Sequence, residues 1–137
     1  MGLTHLAIDI ASPARPEEFR TERFLIDSGA VYSVVQRTVL EDLGIEPHSH
    51  RTFTLANGDQ IERPLGDALF RYKENRGAAP MIFGEPGDSN LLGVVTLEAL
   101  GYVLDPLKRE LRPLPMLLAA LTTAPASGTP GPCRARR

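Results

Sequence analysis

The sequence predicts a mainly β domain with two short helices, and three observations lead to this fold class. Hydrophobic residues alternate with a period of two in short runs, of which Leu6, Ile8 and Ile10 form the first. The 137 residues include 12 Gly and 12 Pro, a content that favours many turns between short strands. Only two segments carry helix signals, and the length suits one ordinary domain.

The first half of the chain predicts three strands and one helix. Thr38 and Glu41 have the spacing of a capping box, and Gly44 stands where a helix C-cap would lie. A helix is therefore predicted over residues 39–43. The strands are predicted over residues 6–10, 19–26 and 31–35.

The second half predicts hairpins and a second helix. Asn57-Gly58 is the favoured pair of a type I′ turn between strands at 51–56 and 59–63. Gly101 would end a helix over 94–100, and Asp105-Pro106 would turn a closing hairpin of residues 102–104 and 107–111. Two further strands are predicted at 65–72 and 80–83, with a connection over 74–79 and a polar loop over 85–90.

Composition excludes several classes of function. The chain has 15 basic and 17 acidic residues and a formal charge of -2, so it lacks the positive field of a nucleic-acid binder. No apolar stretch approaches the ~20 residues of a membrane span. The N-terminus does not read as a secretory signal, so we expect a cytoplasmic protein that binds neither nucleic acid nor membrane.

The chain divides into a domain over residues 1–115 and a flexible tail rich in Pro, Ala and Arg over residues 116–137. Residues 116–121 could form a short helical turn over an apolar patch, or be disordered. The chain has one cysteine, Cys133, and it falls in this tail. A single cysteine excludes an intramolecular disulfide and a cysteine-based zinc site.

The segment Asp27-Ser28-Gly29-Ala30 stands between two hydrophobic runs and is the candidate for chemistry. A carboxylate there would sit in a turn with apolar walls, and Gly29 permits a close approach of the backbone. Taken alone, the tripeptide is ordinary turn chemistry, and an Asx-turn is its better explanation.

The order of motifs resembles that of the retropepsin-like aspartic peptidases, the single-domain relatives of pepsin. The matching elements are Phe24-Leu25-Ile26-Asp27-Ser28-Gly29-Ala30, a hairpin over 52–64, and Leu91-Leu92-Gly93 followed by residues 94–101. The resemblance covers residues 3–114 and is strongest to small bacterial members. It implies a closed β barrel of the acid-protease fold that is active as a homodimer.

The resemblance also implies roles for individual residues. Asp27 would be the catalytic carboxylate, and Ser28, Gly29 and Ala30 would support the catalytic loop. The hairpin would be a flap over the substrate, and Leu91, Leu92 and Gly93 would pack beneath the catalytic loop. The flap tip would consist of Ala56, Asn57, Gly58 and Asp59.

The chemistry implied needs two carboxylates around one water, and the chain has one Asp-Ser-Gly. A second copy of the chain would therefore supply the other Asp27 across a two-fold axis. The predicted function is an aspartic endopeptidase without a cofactor, with a peptide or protein as substrate. The alternatives are a non-catalytic peptide-binding or assembly module, which the short flap favours, and a monomer that is inactive without another chain.

Other candidate sites are weaker. His48 and His50 flank Ser49 in a loop and could hold a metal, but no cysteine or third histidine is near, so exposed loop histidines are the better interpretation. The sequence therefore predicts no metal site. Serine catalysis at Ser28 or Ser33 lacks the surrounding G-x-S-x-G pattern.

Overall fold

The structure, a computed structural model, describes residues 4–115, and within them it has nine strands and two helices. The mainly β fold class with two short helices is thus confirmed. The strands are β1 (Thr4–Ala11), β2 (Arg20–Ile26), β3 (Ser33–Gln36), β4 (Ser49–Thr54), β5 (Gln60–Tyr72), β6 (Asn75–Gly84), β7 (Leu91–Leu92), β8 (Tyr102–Asp105) and β9 (Glu110–Pro113). The helices are α1 (Arg37–Asp42) and α2 (Val94–Leu100).

Six strands close into a ring. They pair in the order β1-β2-β7-β3-β6-β5, and β1 pairs back onto β5 through Asp9, Ile10 and Ala11. β4 lies outside the ring because it pairs with β5, with which it forms a hairpin. The ring is not a regular barrel, since β7 contributes only two residues and β4 extends the sheet to one side.

The short strand β7 lies between β2 and β3, which are consecutive in the sequence. It runs parallel to β2, with Leu25 opposite Leu91 and Ile26 opposite Leu92, and antiparallel to β3. The connection from β2 to β3, which contains Asp27, therefore passes over the end of β7. Leu91 of β7 therefore pairs with both strands that flank the connection, with Leu25 of β2 and with Val34 of β3.

The core fills the inside of the ring. Period-two alternation buries Ile8 and Ile10 in the second half of β1 and Phe24 and Ile26 at the end of β2. Phe24 meets Phe70 of β5 edge-on, with ring centroids 6.2 Å apart. Helix α2 closes one side by burying Leu97 and Leu100.

Helix α1 confirms the predicted element but not its start. It begins two residues before the predicted boundary, so Thr38 lies inside the helix and the predicted capping box is wrong. Gln36 occupies the N-cap instead and makes no side-chain capping bond. The C-terminal signal holds, because Gly44 adopts the left-handed region at φ 77° directly after the C-cap Leu43.

Two hairpin turns differ from the prediction. Asn57 has a negative φ, so the turn is not type I′; instead Gly58 N–H donates to the Leu55 carbonyl and Gly58 takes φ 93° in a three-residue loop. The predicted connection over 74–79 is also wrong. β6 starts at Asn75, opposite Tyr72, because Lys73 accepts the left-handed φ of 56° that lets the chain reverse in two residues.

Other boundaries also differ: one strand, β5, replaces the two predicted over residues 59–63 and 65–72, and β9 begins three residues later than predicted. β3 begins at Ser33 rather than at Val31, and the closing hairpin forms within the chain, with Leu104 of β8 opposite Leu111 of β9. Within residues 4–115 no helix is long and apolar enough to cross a membrane. The predicted tail, 116–137, lies outside the described residues, together with Cys133.

Candidate active site

Asp27 follows the last residue of β2, and backbone hydrogen bonds fix its loop. Its N–H donates to the carbonyl of Leu92 at 3.0 Å, and its own carbonyl accepts from the N–H of Ala30 at 3.1 Å. The loop then continues to α2, because Val94 N–H donates to the Ala30 carbonyl at 2.8 Å. The loop is thus held at its start by β7 and at its end by the first turn of α2.

The Asp27 side chain is half-buried, and one of its oxygens is engaged locally. Oδ1 accepts the N–H of Gly29 at 2.9 Å, which is the Asx-turn contact that the sequence allowed. Within residues 4–115, Oδ2 accepts no hydrogen bond. The turn therefore orients the carboxylate and leaves one oxygen for an external donor.

The other loop residues lie close by but differ in exposure. Ser28 and Gly29 are exposed, whereas Ala30 is half-buried and lines a groove. A Cβ on Gly29 would lie 3.2 Å from Oδ1 of Asp27, so a larger residue here would require the carboxylate to shift by a few tenths of an ångström.

Gly93 packs tightly against Val31 and Tyr32, the two residues that follow the Asp27 loop. A Cβ there would lie 2.7 Å from the backbone carbon and oxygen of Tyr32 and 2.8 Å from the carbonyl oxygen of Val31. Only glycine lets α2 begin this close to the segment that leaves the Asp27 loop. Leu92 beside it is fully buried, and Leu91 lines the groove.

A buried polar pair beneath the loop was not identified from the sequence. Ser33 Oγ lies 2.6 Å from Thr96 Oγ1 and accepts the N–H of Gly93 at 2.9 Å, and both side chains are inaccessible to solvent. The pair joins β3 to the start of α2. A signal was present, because Ser33 occupies an inward position in the alternation with Val35, where a hydroxyl needs a partner.

An apolar groove of about 680 Å³ runs beside the loop. The residues after Asp27 form one side of it, and the β4–β5 hairpin forms the other through Phe53, Leu55 and Ile61. The further lining residues are Ala30, Val31, Tyr32, Val34, Arg63, Ile82, Asp88, Ser89 and Leu91. A groove with these walls suits extended chain with apolar side chains.

The groove contains one ion pair. Arg63 Nη1 donates to Oδ2 of Asp88 at 3.0 Å, and the same oxygen accepts the N–H of Glu85 at 2.9 Å. The backbone donor of Glu85 holds the pKa of Asp88 below the usual 3.8, Arg63 adds to this, and partial burial opposes it. Asp88 thus stays ionised to a lower pH than an isolated carboxyl would.

The hairpin tip is fully solvent-facing. Ala56, Asn57, Gly58 and Asp59 are all exposed, and Asn57 Oδ1 accepts the N–H of Asp59 at 2.9 Å. These bonds are internal to the tip. The structure therefore places the tip residues together but joins them to the Asp27 side of the groove by no hydrogen bond among residues 4–115.

The histidine segment shows no metal arrangement. His48 Nε2 lies 3.1 Å from Oδ1 of Asp67, and Ser49 Oγ lies 3.0 Å from His48 Nδ1. Among the described residues no group of three or more histidine, cysteine or acidic side chains could hold a metal ion.

Comparisons with known proteins find similar chains among solved structures. No protein-family model matches the chain, and no curated protein matches it. Among solved structures, the chain is similar to the solution structure of simian foamy virus (mac) protease, with 17% identity, a TM-score of 0.47, and coverage of 68% of this chain and 92% of that one.

Proposed function

We propose that this chain is an aspartic endopeptidase of the retropepsin-like kind that works as a homodimer. The observation that carries the proposal is the half-buried carboxylate of Asp27, in a loop that hydrogen bonds hold at both ends and whose last residue, Ala30, lines an apolar groove. The groove offers a place for a peptide, and the carboxylate offers a group that can move a proton next to it.

The reaction would use two Asp27 carboxyls that share one proton. The ionised carboxyl takes a proton from a water molecule, whose oxygen forms a bond to the scissile carbonyl carbon. The protonated carboxyl gives its proton to the carbonyl oxygen, which yields a neutral tetrahedral intermediate. Proton transfer to the amide nitrogen then lets the C–N bond break, and the products are a carboxylic acid and an amine.

The second carboxyl has to come from another copy, because the sequence holds one Asp-Ser-Gly. The exposure of Ser28 and Gly29 supports such a contact, since both stand open to a partner in the single chain. We propose that Ser28 steadies the paired loops across the two-fold axis and that the hairpin tip closes over bound peptide.

Within this kind of protein we place the chain with the small bacterial type. Support comes from the segment after α2, which folds back as the hairpin of β8 and β9. We propose residues 1–115 as the catalytic domain, residues 116–137 as a flexible tail, and the cytoplasm as the location.

Asp27→Asn tests the catalytic role. We expect peptide cleavage to fall by at least about a thousandfold, because the amide can neither accept nor deliver the proton. Cleavage of a mixed peptide library between about pH 4 and pH 7 would be followed by mass spectrometry, since a shared proton needs one carboxyl protonated. Asp42→Asn is the matched control, because Asp42 is exposed on α1 and pairs with Arg20.

Two outcomes would contradict the proposal. Cleavage by Asp27→Asn at the wild-type rate would show that another group performs the reaction. Peptide binding without turnover by the wild-type dimer would instead favour a non-catalytic module that holds extended peptides by strand addition.

A further inference from the structure

Tyr32 connects the two sides of the groove. Its hydroxyl accepts a hydrogen bond from Nη1 of Arg51 on β4, and the Arg51 guanidinium carbon lies 5.5 Å from the centre of the tyrosine ring. The Tyr32 ring also meets Phe53 of β4 edge-on, with centroids 6.2 Å apart. One side chain therefore gives β4 a hydrogen bond, a cation–π contact and an aromatic contact.

The backbone that carries this ring has little freedom. The carbonyl of Tyr32 lies against Gly93, and the preceding carbonyl, of Val31, accepts the N–H of Val95 at 3.0 Å. The backbone of Tyr32 is thus held against the start of α2, the segment that also binds the end of the Asp27 loop.

The strand that the ring contacts is held weakly elsewhere. β4 pairs with β5 alone in the described sheet, and most of its residues are exposed. Of the side-chain hydrogen bonds in residues 4–115, the Arg51–Tyr32 bond is the one that joins β4 to the Asp27 side of the groove.

We propose that Tyr32 is a positioning residue that latches the β4–β5 hairpin to the Asp27 loop and so keeps the groove open at a fixed width. Its importance for substrate rests on the proposed function, but the latch itself does not. Without the latch the hairpin samples more positions, and a peptide has to restrict that motion when it binds.

Tyr32→Phe is the sharpest test, because it removes the hydroxyl and keeps the ring that lines the groove. We expect amide hydrogen exchange in residues 50–61 to become about three to ten times faster, as suits the loss of one partly solvated bond to a charged group. Exchange in α2 should not change. Tyr72→Phe is the matched control, since Tyr72 stacks edge-on against Tyr102 outside the groove.

Arg51→Leu should raise exchange over the same residues, and combining it with Tyr32→Phe should add little, because both changes break one bond. Unchanged exchange in residues 50–61 for both single variants would overturn the proposal. If Tyr32→Phe lost the fold, Arg51→Leu would decide the question alone, since Arg51 is exposed.

A second measurement separates the latch from the enzyme. In an Asp27→Asn background, Tyr32→Phe should weaken binding of an uncleaved extended peptide by about three to ten times. If Tyr32→Phe raised the exchange in residues 50–61 but the protein bound no peptide, the latch would stand and the proposed function alone would be refuted. If Tyr32→Phe changed neither the peptide affinity nor the amide exchange in residues 50–61, the latch alone would be refuted.

Discussion

Asp88 shows how single residues set the character of the groove. It lines a largely apolar groove, where its carboxylate receives a backbone N–H and a guanidinium, and these hold its pKa below 3.8. A carboxyl with a lowered pKa stabilises the folded state at pH values above its unfolded pKa. That contribution is lost as the pH falls through the lower, folded pKa.

Asp88→Asn should therefore destabilise the protein in a pH-dependent way. Above about pH 5 the free energy of unfolding should drop by about 0.5–1 kcal/mol, a small value because the Asp88 side chain is 39% exposed and solvent screens the pair. The difference should begin to narrow near pH 3.8 and should vanish once the pH lies below the lower, folded pKa of Asp88. Urea unfolding across this pH range measures the difference.

Arg63→Gln provides the control for this prediction. It should remove part of the pH dependence and leave the part that comes from the Glu85 N–H, which is the largest single cause of the lowered pKa. A gap between wild type and Asp88→Asn that stays constant from pH 6 to pH 3 would contradict the assignment.

Among the elements, β3 and α2 depend on one buried polar pair. Ser33 serves both the N–H of Gly93 and the hydroxyl of Thr96, so Ser33→Ala leaves two buried polar groups unpaired. We expect a loss of about 2–3 kcal/mol in the free energy of unfolding. Adding Thr96→Val should recover about 1 kcal/mol, since it replaces one unpaired hydroxyl by a group of the same shape.

A double-mutant cycle from urea unfolding tests the pair. Losses that simply add, with no recovery in the double variant, would show that Ser33 and Thr96 act independently.

The elements also show how far the sequence could predict the fold. Strands with a clear period of two, such as β1 and β2, followed from their own residues. The strand predicted over residues 80–83 covers only the end of β6. The start of β6, Asn75-Arg76-Gly77, has no strand signal in the sequence, and its pairing with β5 decides its conformation. β7 has two residues, too few for any period, so its insertion between β2 and β3 is a product of tertiary packing.

The candidate site divides in the same way. A turn at Asp27 between two strands was predictable, because hydrophobic runs flank a short polar segment. The groove and the Tyr32 contacts were not, because they join residues about 20 positions apart through a hairpin whose orientation no local pattern gives.

For the whole molecule, the proposed homodimer makes a prediction about mixed subunits. If each site needs Asp27 from two chains, equal amounts of wild-type and Asp27→Asn chains that exchange freely should retain about one quarter of the activity of the same total of wild-type dimers. Mixing after brief dissociation, followed by a peptide-cleavage assay, measures this fraction. Retention of about one half would show that each chain works alone.

Dilution provides a second reading of the same prediction. Specific activity should fall as dimers dissociate, and sedimentation velocity over the same concentrations should show the shift to monomer. Constant specific activity together with a monomeric sedimentation profile would contradict the dimeric site.

The two residues of β7 also determine when, during synthesis, the site can take shape. Leu91 and Leu92 emerge from the ribosome roughly 65 residues after their partners on β2, and pairing over such a distance closes a long loop. Until then the N–H of Asp27 has no Leu92 carbonyl to donate to, and Ser33 has neither Gly93 nor Thr96. A nascent chain therefore contains Asp27 long before the contacts that hold the Asp27 loop can form. The loop reaches its final geometry only in chains extended past Thr96.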